Sequence, residues 1–170
     1  MRRDAAISDC GRYRYCLWRQ WGEGPCVDFI MLNPSTADGK VDDPTIRRCI
    51  GFAKRWGAGS LRVLNLFAYR ATDPKQLKAV DDPVGPDNDW WIQGYQDIPE
   101  PYEEPLYRVC AWGSGGRLLG RDREVLGMFN RIHALRLNTD GSPAHPLYLP
   151  KDLTPFEIGM YEAQQGGKEG

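Results

Sequence analysis

The chain has 170 residues, a formal net charge of -1 and a pI near 6.1, which is long enough for one sizeable core and short for two. That balance excludes the global basic excess of many nucleic-acid binders, so any such binding needs a local basic patch. No apolar stretch approaches the ~20 residues that span a bilayer, and the Met1-Arg2-Arg3-Asp4 start lacks the apolar core of a signal peptide, so a cytoplasmic location and no membrane partner are expected.

In chain order, residues 12–18 alternate polar and apolar side chains as a half-buried strand does. The Gly22-Glu-Gly-Pro25 turn then leads into the apolar run 27–30, which predicts a hairpin. Directly after it, Met31-Leu-Asn-Pro-Ser-Thr-Ala-Asp38 puts an Asn-Pro turn on the carboxyl end of a buried strand, where open α/β sheets build their sites. Asp43-Pro44-Thr45 reads as a helix start, with Asp43 as cap and Pro44 in the first turn. Ile46, Cys49, Ile50 and Ala53 follow at helical spacing and Gly57 ends the helix. Residues 61–66 read as a second core strand, Asp73-Pro74 starts a short helix carrying Leu77 and Val80, and 86–95 is a third helical segment. The proline- and acid-rich stretch 97–105 reads as an extended surface connection. Residues 107–112 form a third core strand, 116–129 a helix, and 133–137 a fourth strand before the turn at Asp140-Gly-Ser-Pro143. Beyond Leu153 the chain turns polar and frays.

Strands alternating with helices predict an α/β fold. The expected form is a three-layer α/β/α sandwich whose four-stranded, mainly parallel sheet carries an extra amino-terminal hairpin strand. It forms a single domain over 1–170, with a core of about 12–153 and a polar tail at 154–170. Right-handed crossovers would place the loop after each parallel strand on one edge, gathering Asn33, Asn65, the Trp112-Gly113 turn and His145. The five cysteines are odd in number and scattered. With no Cys-x-x-Cys pair they read as reduced, mostly buried thiols, and neither a metal site nor a cofactor is implied.

Several motifs carry a family resemblance. Met31-Leu-Asn-Pro-Ser-Thr-Ala-Asp38, Asp43-Pro-Thr45, Asn65-Leu-Phe-Ala-Tyr-Arg-Ala-Thr72, Ala111-Trp-Gly113 and His145-Pro-Leu-Tyr-Leu149 together resemble an uncharacterised family of short bacterial and phage proteins. More remotely, their order resembles the uracil-DNA glycosylase superfamily. In its mismatch-specific branch an Asn-Pro turn after the first core strand positions the hydrolytic water, to which Leu32-Asn33-Pro34-Ser35 is similar. A strand-terminal Asn reads the flipped pyrimidine, as Asn65 would, and a strand ending in Trp-Gly precedes a helix, as Trp112-Gly113 does. A late His-Pro loop carries a catalytic His and a wedge residue, matching His145 and Leu147 or Tyr148. Asn33 stands where the uracil-specific branch has Asp, and Ser35 where the mismatch branch has Gly.

The resemblance implies a base hydrolase acting on a flipped modified or mismatched base, in base repair or phage–host conflict, with DNA as partner and no obligate protein partner. Asn33, His145 and Asp38 would be catalytic, Asp38 or Asp42 supplying the carboxylate that Asn33 lacks. Asn65, Trp112 and Phe67 would bind the base. Ser35, Arg70, Ser114, Leu147 and Tyr148 would contact DNA. The chemistry suits the residue types, because N-glycosidic cleavage builds negative charge on the departing base and a neutral His donor stabilises it.

Plainer readings stand beside these. Asn33-Pro34-Ser35 also reads as a simple turn, Asn65 as a satisfied amide bridging strand ends, Trp112 as core, and the arginines at 47, 48, 55, 117, 121, 123 and 131 as solvated helix faces. Two other functions fit the same cleft: a nucleotide- or nucleoside-metabolising enzyme, and a non-catalytic nucleic-acid or nucleotide-binding module.

Overall fold

A computed structural model describes residues 1–35, 39–94 and 104–159. The apolar positions at 27, 29 and 31 and at 61 and 63 alternate with 28, 30, 62 and 64. This period of two places each set on one face of a sheet. β3 (Cys26–Met31), β4 (Ser60–Asn65), β5 (Tyr107–Cys110) and β6 (Ile132–Ala134) run parallel to their neighbours in the order β4-β3-β5-β6. β1 (Arg2–Ile7) and β2 (Arg14–Gln20) extend the β4 side, and β7 (Phe156–Ile158) extends the β6 side, all antiparallel. The result is an α/β protein with a mixed sheet of seven strands in the order β1-β2-β4-β3-β5-β6-β7.

The sheet is mixed and seven-stranded, not four-stranded and mainly parallel. The expected hairpin between residues 12–18 and 27–30 does not form, because β4 lies between β2 and β3. The 22–25 turn docks instead on the entry to β4: Trp21 and Gly22 donate their backbone N–H to the Gly59 carbonyl at 3.0 and 3.1 Å. A Cβ at Gly59 would meet the Glu23 carbonyl oxygen at 2.4 Å, so only glycine admits this approach. The true hairpin joins β1 to β2, ahead of the expected core, and β7 falls within the stretch expected to be a polar tail.

Helices cover both faces. α1 (Pro44–Arg55) starts where Asp43 accepts the Ile46 N–H at 2.8 Å, and ends with basic residues Lys54 and Arg55 in its last turn. It lays Ile46, Cys49, Ile50, Phe52 and Ala53 on Val27, Phe29, Leu61 and Val63. The opposite face packs Ile30, Leu64 and Cys110 against Leu77, Ile92, Val125 and Leu126. Leu77 belongs to a 3₁₀ turn at Pro74–Ala79, and the others to α2 (Asn88–Gln93) and α3 (Arg121–Leu126). The helix expected over 116–129 is split into a 3₁₀ turn at Ser114–Gly120 and α3. Leu118 turns extended and Leu119 takes φ +57°, a left-handed conformation that helices exclude.

Asp28 is wholly buried on the second face. Its strand register puts Arg62 of β4 on one side and Arg108 of β5 on the other. Arg62 grips the carboxylate through Nε and Nη2 at 2.8 and 2.7 Å, while Arg108 Nε stands 3.8 Å away. Burial disfavours the Arg62 charge, yet the Asp28 carboxylate outweighs it and holds the guanidinium pKa above its ordinary value. Among the described residues, no helix is long and apolar enough to cross a membrane.

Candidate functional site

Because β3, β4 and β5 are parallel, their carboxyl ends open on one edge, and the chain leaves that edge as stitched loops. Leu66 and Phe67 donate backbone N–H groups to Met31 and Leu32, and Ala71 donates to Pro34 at 3.1 Å. Gly113 donates to Pro143 at 2.8 Å, which ties the loop after β5 to the segment that ends in His145. A cavity of about 240 Å³ lies between them. Asn33, Ser35, Asn65, Trp112 and His145 all line it, joined by Arg14, Asp43, Thr45 and Thr72.

Asn65 ends β4 and is 1% exposed, and its buried amide nitrogen has no hydrogen-bond partner among the described residues. An orphaned buried donor costs about 1–3 kcal/mol of desolvation, so its place on a cavity wall points to a ligand acceptor. The backbone beneath it is held firmly. Asn88 Nδ2 donates to the carbonyls of Asn65 and Leu66 at 2.9 and 3.1 Å, and Arg121 Nε donates to Leu66 at 2.8 Å. Arg121, 1% exposed, is itself fixed by Asp89 at 2.5 Å and Glu124 at 3.1 Å.

Asn33 sends its amide nitrogen to the carbonyls of Pro34 and Ala71 at 3.1 and 2.9 Å. Two carbonyl partners identify that end as the NH₂ and leave the oxygen as the acceptor turned to other uses. Trp112 is 3% exposed, and its indole is pressed by Gly116, where a Cβ would meet Trp112 Cδ1 at 2.3 Å. Gly113 between them has φ +70°, open to glycine alone at low cost.

His145 lies at the solvent-accessible rim. Its Nδ1 accepts the Leu147 N–H at 3.3 Å, so the neutral ring carries its proton on Nε2. Partial desolvation at the cavity mouth pushes the imidazole pKa below its ordinary value, against the pull of the Asp43 carboxylate. Arg14, 5% exposed, is brought down to about 10 by burial, with Asp43 opposing and Arg70 reinforcing the shift. It remains a cation at neutral pH.

The other expected site residues that the structure describes lie elsewhere. Asp38 is outside the described residues. Phe67 is fully buried in the second core layer, because the chain beyond β4 turns it away from the cavity. Arg70 Nη1 donates to the Gly11 carbonyl at 3.1 Å and does not line the cavity, and Ser114 is exposed and does not line it either. Asp42 is engaged by Arg19 at 2.7 Å and Arg3 at 3.4 Å. Leu147 lines a neighbouring groove, and Tyr148 is 91% exposed. Arg14 lies outside every motif, Thr45 and Thr72 stand in motifs without a site role of their own, and Asp43 reads as a helix cap. It is one, and it also faces the cavity. Among the described residues, no three His, Cys, Asp or Glu side chains gather as a metal-ligand group.

A family match covers residues 14–147, which contain every one of the cavity residues. The chain belongs to that family, described as "Protein of unknown function (DUF1643)". Members are thus defined over β2 to the His145 loop, while β1 and β7 lie outside the matched region. No curated protein and no solved structure matches the chain.

Proposed function

We propose that this DUF1643 protein binds a nucleobase turned out of a DNA strand in the cavity and hydrolyses its N-glycosidic bond, as the motif resemblance to uracil-DNA glycosylases implies. The observation that carries the reading is the buried Asn65 amide, unpartnered among the described residues, on a cavity walled by Trp112. A base edge supplies the missing acceptor, and its flat face suits the indole. His145, neutral and protonated on Nε2, donates to a base carbonyl as charge develops there. The Asn33 carbonyl orients a water. The water oxygen bonds to the sugar C1′ while the C1′–N electron pair leaves with the base, and the water's proton passes to the Asp43 carboxylate. Tyr148, the more exposed of the two expected wedge residues, fills the vacated stack.

The test is a panel of oligonucleotides carrying uracil, hydroxymethylated and glucosylated pyrimidines and mismatches, assayed for abasic sites alongside electrophoretic shifts. On a responsive substrate His145→Ala should lower the single-turnover rate by about 10²- to 10³-fold with little change in binding. Asn65→Ala should weaken base discrimination. Tight binding with no abasic product would replace hydrolysis by a binding module, and turnover of free nucleosides alone would replace it by nucleoside metabolism.

A further inference from the structure

We infer that the groove beside the cavity, formed by α1 and the segment around Leu147 and Lys151, holds the phosphodiester backbone of the strand whose base enters the cavity. This deepens the hydrolase reading and relies on it for what the cavity takes.

The groove encloses about 410 Å³, and four of the eight residues lining it are cations: Arg47, Arg48, Arg55 and Lys151. None is acidic, in a chain whose net charge is -1. Such concentration of one sign gives the local basic patch that a polyanion requires. Arg47, Gly51 and Arg55 recur at the four-residue spacing that makes one stripe along a helix, a run of about 12 Å at ~1.5 Å per residue.

Two of the cations are pre-positioned. Arg47 Nη1 donates to the Asp42 carbonyl at 2.6 Å. Arg48 Nη2 donates to the Leu149 carbonyl while its guanidinium lies over the Phe52 ring, 5.5 Å from the centroid. Its buried Nε has no hydrogen-bond partner among the described residues. Arg55 and Lys151 are exposed and complete the walls, and Phe52 and Leu147 give an apolar floor for the sugar or base of a flanking nucleotide.

The groove joins the cavity at two points. Pro44 lines the groove while Asp43 and Thr45 line the cavity, and Leu147 lines the groove while His145 lines the cavity. A strand lying along α1 therefore passes the cavity mouth. This path differs from one through Arg70 and Ser114, neither of which lines the groove.

Gly51 offers a clean probe, since a Cβ there meets nothing within 4 Å. Gly51→Glu adds a negative charge in the groove, and Gly51→Ala adds only a methyl. Binding of a fluorescent single-stranded DNA 20-mer free of modified bases is followed by anisotropy across a salt series. Wild type and Gly51→Ala should bind with affinity falling steeply in salt, and Gly51→Glu should bind about tenfold more weakly or worse. The Arg55→Gln/Lys151→Gln pair should reduce the log–log salt slope by ~1.4, the value for two single-strand phosphate contacts. Both residues are exposed, so this pair carries the test should Gly51→Glu fail to fold by circular dichroism.

Absence of wild-type binding, unchanged affinity in Gly51→Glu with an unchanged slope in the pair, or displacement of the DNA by polyglutamate as readily as by unlabelled DNA would overturn the inference. The two readings fail separately. Groove-dependent binding without abasic product removes the hydrolase and keeps the strand path. An oligonucleotide bound as tightly and converted to abasic product as fast by Gly51→Glu as by wild type removes the strand path and keeps the hydrolase.

Discussion

His145 has its two ring nitrogens in different surroundings, and that asymmetry sets a pH signature. Nδ1 is occupied by the Leu147 N–H, and partial desolvation lowers the imidazole pKa. A group whose folded pKa lies below its unfolded value binds protons preferentially in the unfolded chain. The stability tied to His145 is therefore complete above the ordinary value of about 6.5 and is lost as pH falls through it. Activity that needs the neutral donor should hold to a lower pH than a free imidazole would allow. Thermal melts at pH 8 and pH 5 should show a smaller acid-induced drop in His145→Gln than in the wild type. Equal drops would mean that the ring titrates as it does in the unfolded chain. The same reasoning covers His133, whose pKa burial also lowers, so some pH dependence should survive the substitution. Asn65 is legible at this scale as a strand-terminal amide, but its orphaned nitrogen was not. Whether an amide finds a partner depends on groups brought in from α2 and the neighbouring loops.

At the scale of elements, α1 does two things with one residue. Asp43 caps the helix through Ile46 and also lines the cavity beside His145. Asn caps about as well as Asp, whereas Ala costs about 1 kcal/mol. Asp43→Asn should thus leave the urea midpoint close to wild type while abolishing whatever hydrolysis the carboxylate supports, and Asp43→Ala should lose both. A fully active Asp43→Asn would confine the residue to capping. The cap, the proline and the apolar spacing of α1 are local signals and were readable directly. The split of the 116–129 segment is not, because the break at Leu118 and Leu119 accompanies the packing of Gly115 on Leu32 and Gly116 on Leu66, both distant in sequence. β1 is not legible in the sequence for a related reason. Its Arg2-Arg3-Asp4 start is exposed, and it is a strand because β2 offers it an edge.

For the whole molecule, the central strands are joined by one buried charge cluster. Asp28 on β3 faces Arg62 on β4 and Arg108 on β5. Asp28→Asn removes the one carboxylate that faces both guanidiniums, each nine-tenths buried, although Arg108 keeps Glu104 at 3.5 Å, whereas Arg62→Met leaves Asp28 with Arg108 still nearby. Breaking a buried pair costs about 3–5 kcal/mol, so urea unfolding should place Asp28→Asn at the upper end of that range or beyond and Arg62→Met below it. The reverse order would show that Arg108 does not share the charge. Hydrophobic alternation, the helix-start signals and the Asn-Pro, Trp-Gly and His-Pro turns were determined by the sequence alone, since each depends on neighbours a few residues away. Those local patterns sufficed to place Asn33, Asn65, Trp112 and His145 at one edge. Tertiary structure alone decided that β4 enters between β2 and β3, that the sheet grows to seven strands of mixed direction, and that Arg14 and Asp43 join the cavity. The physical reason is that an edge of backbone N–H and C=O groups pairs equally well with any strand brought to it. The partner is therefore chosen by the packing of both sheet faces at once, which no short stretch of sequence encodes.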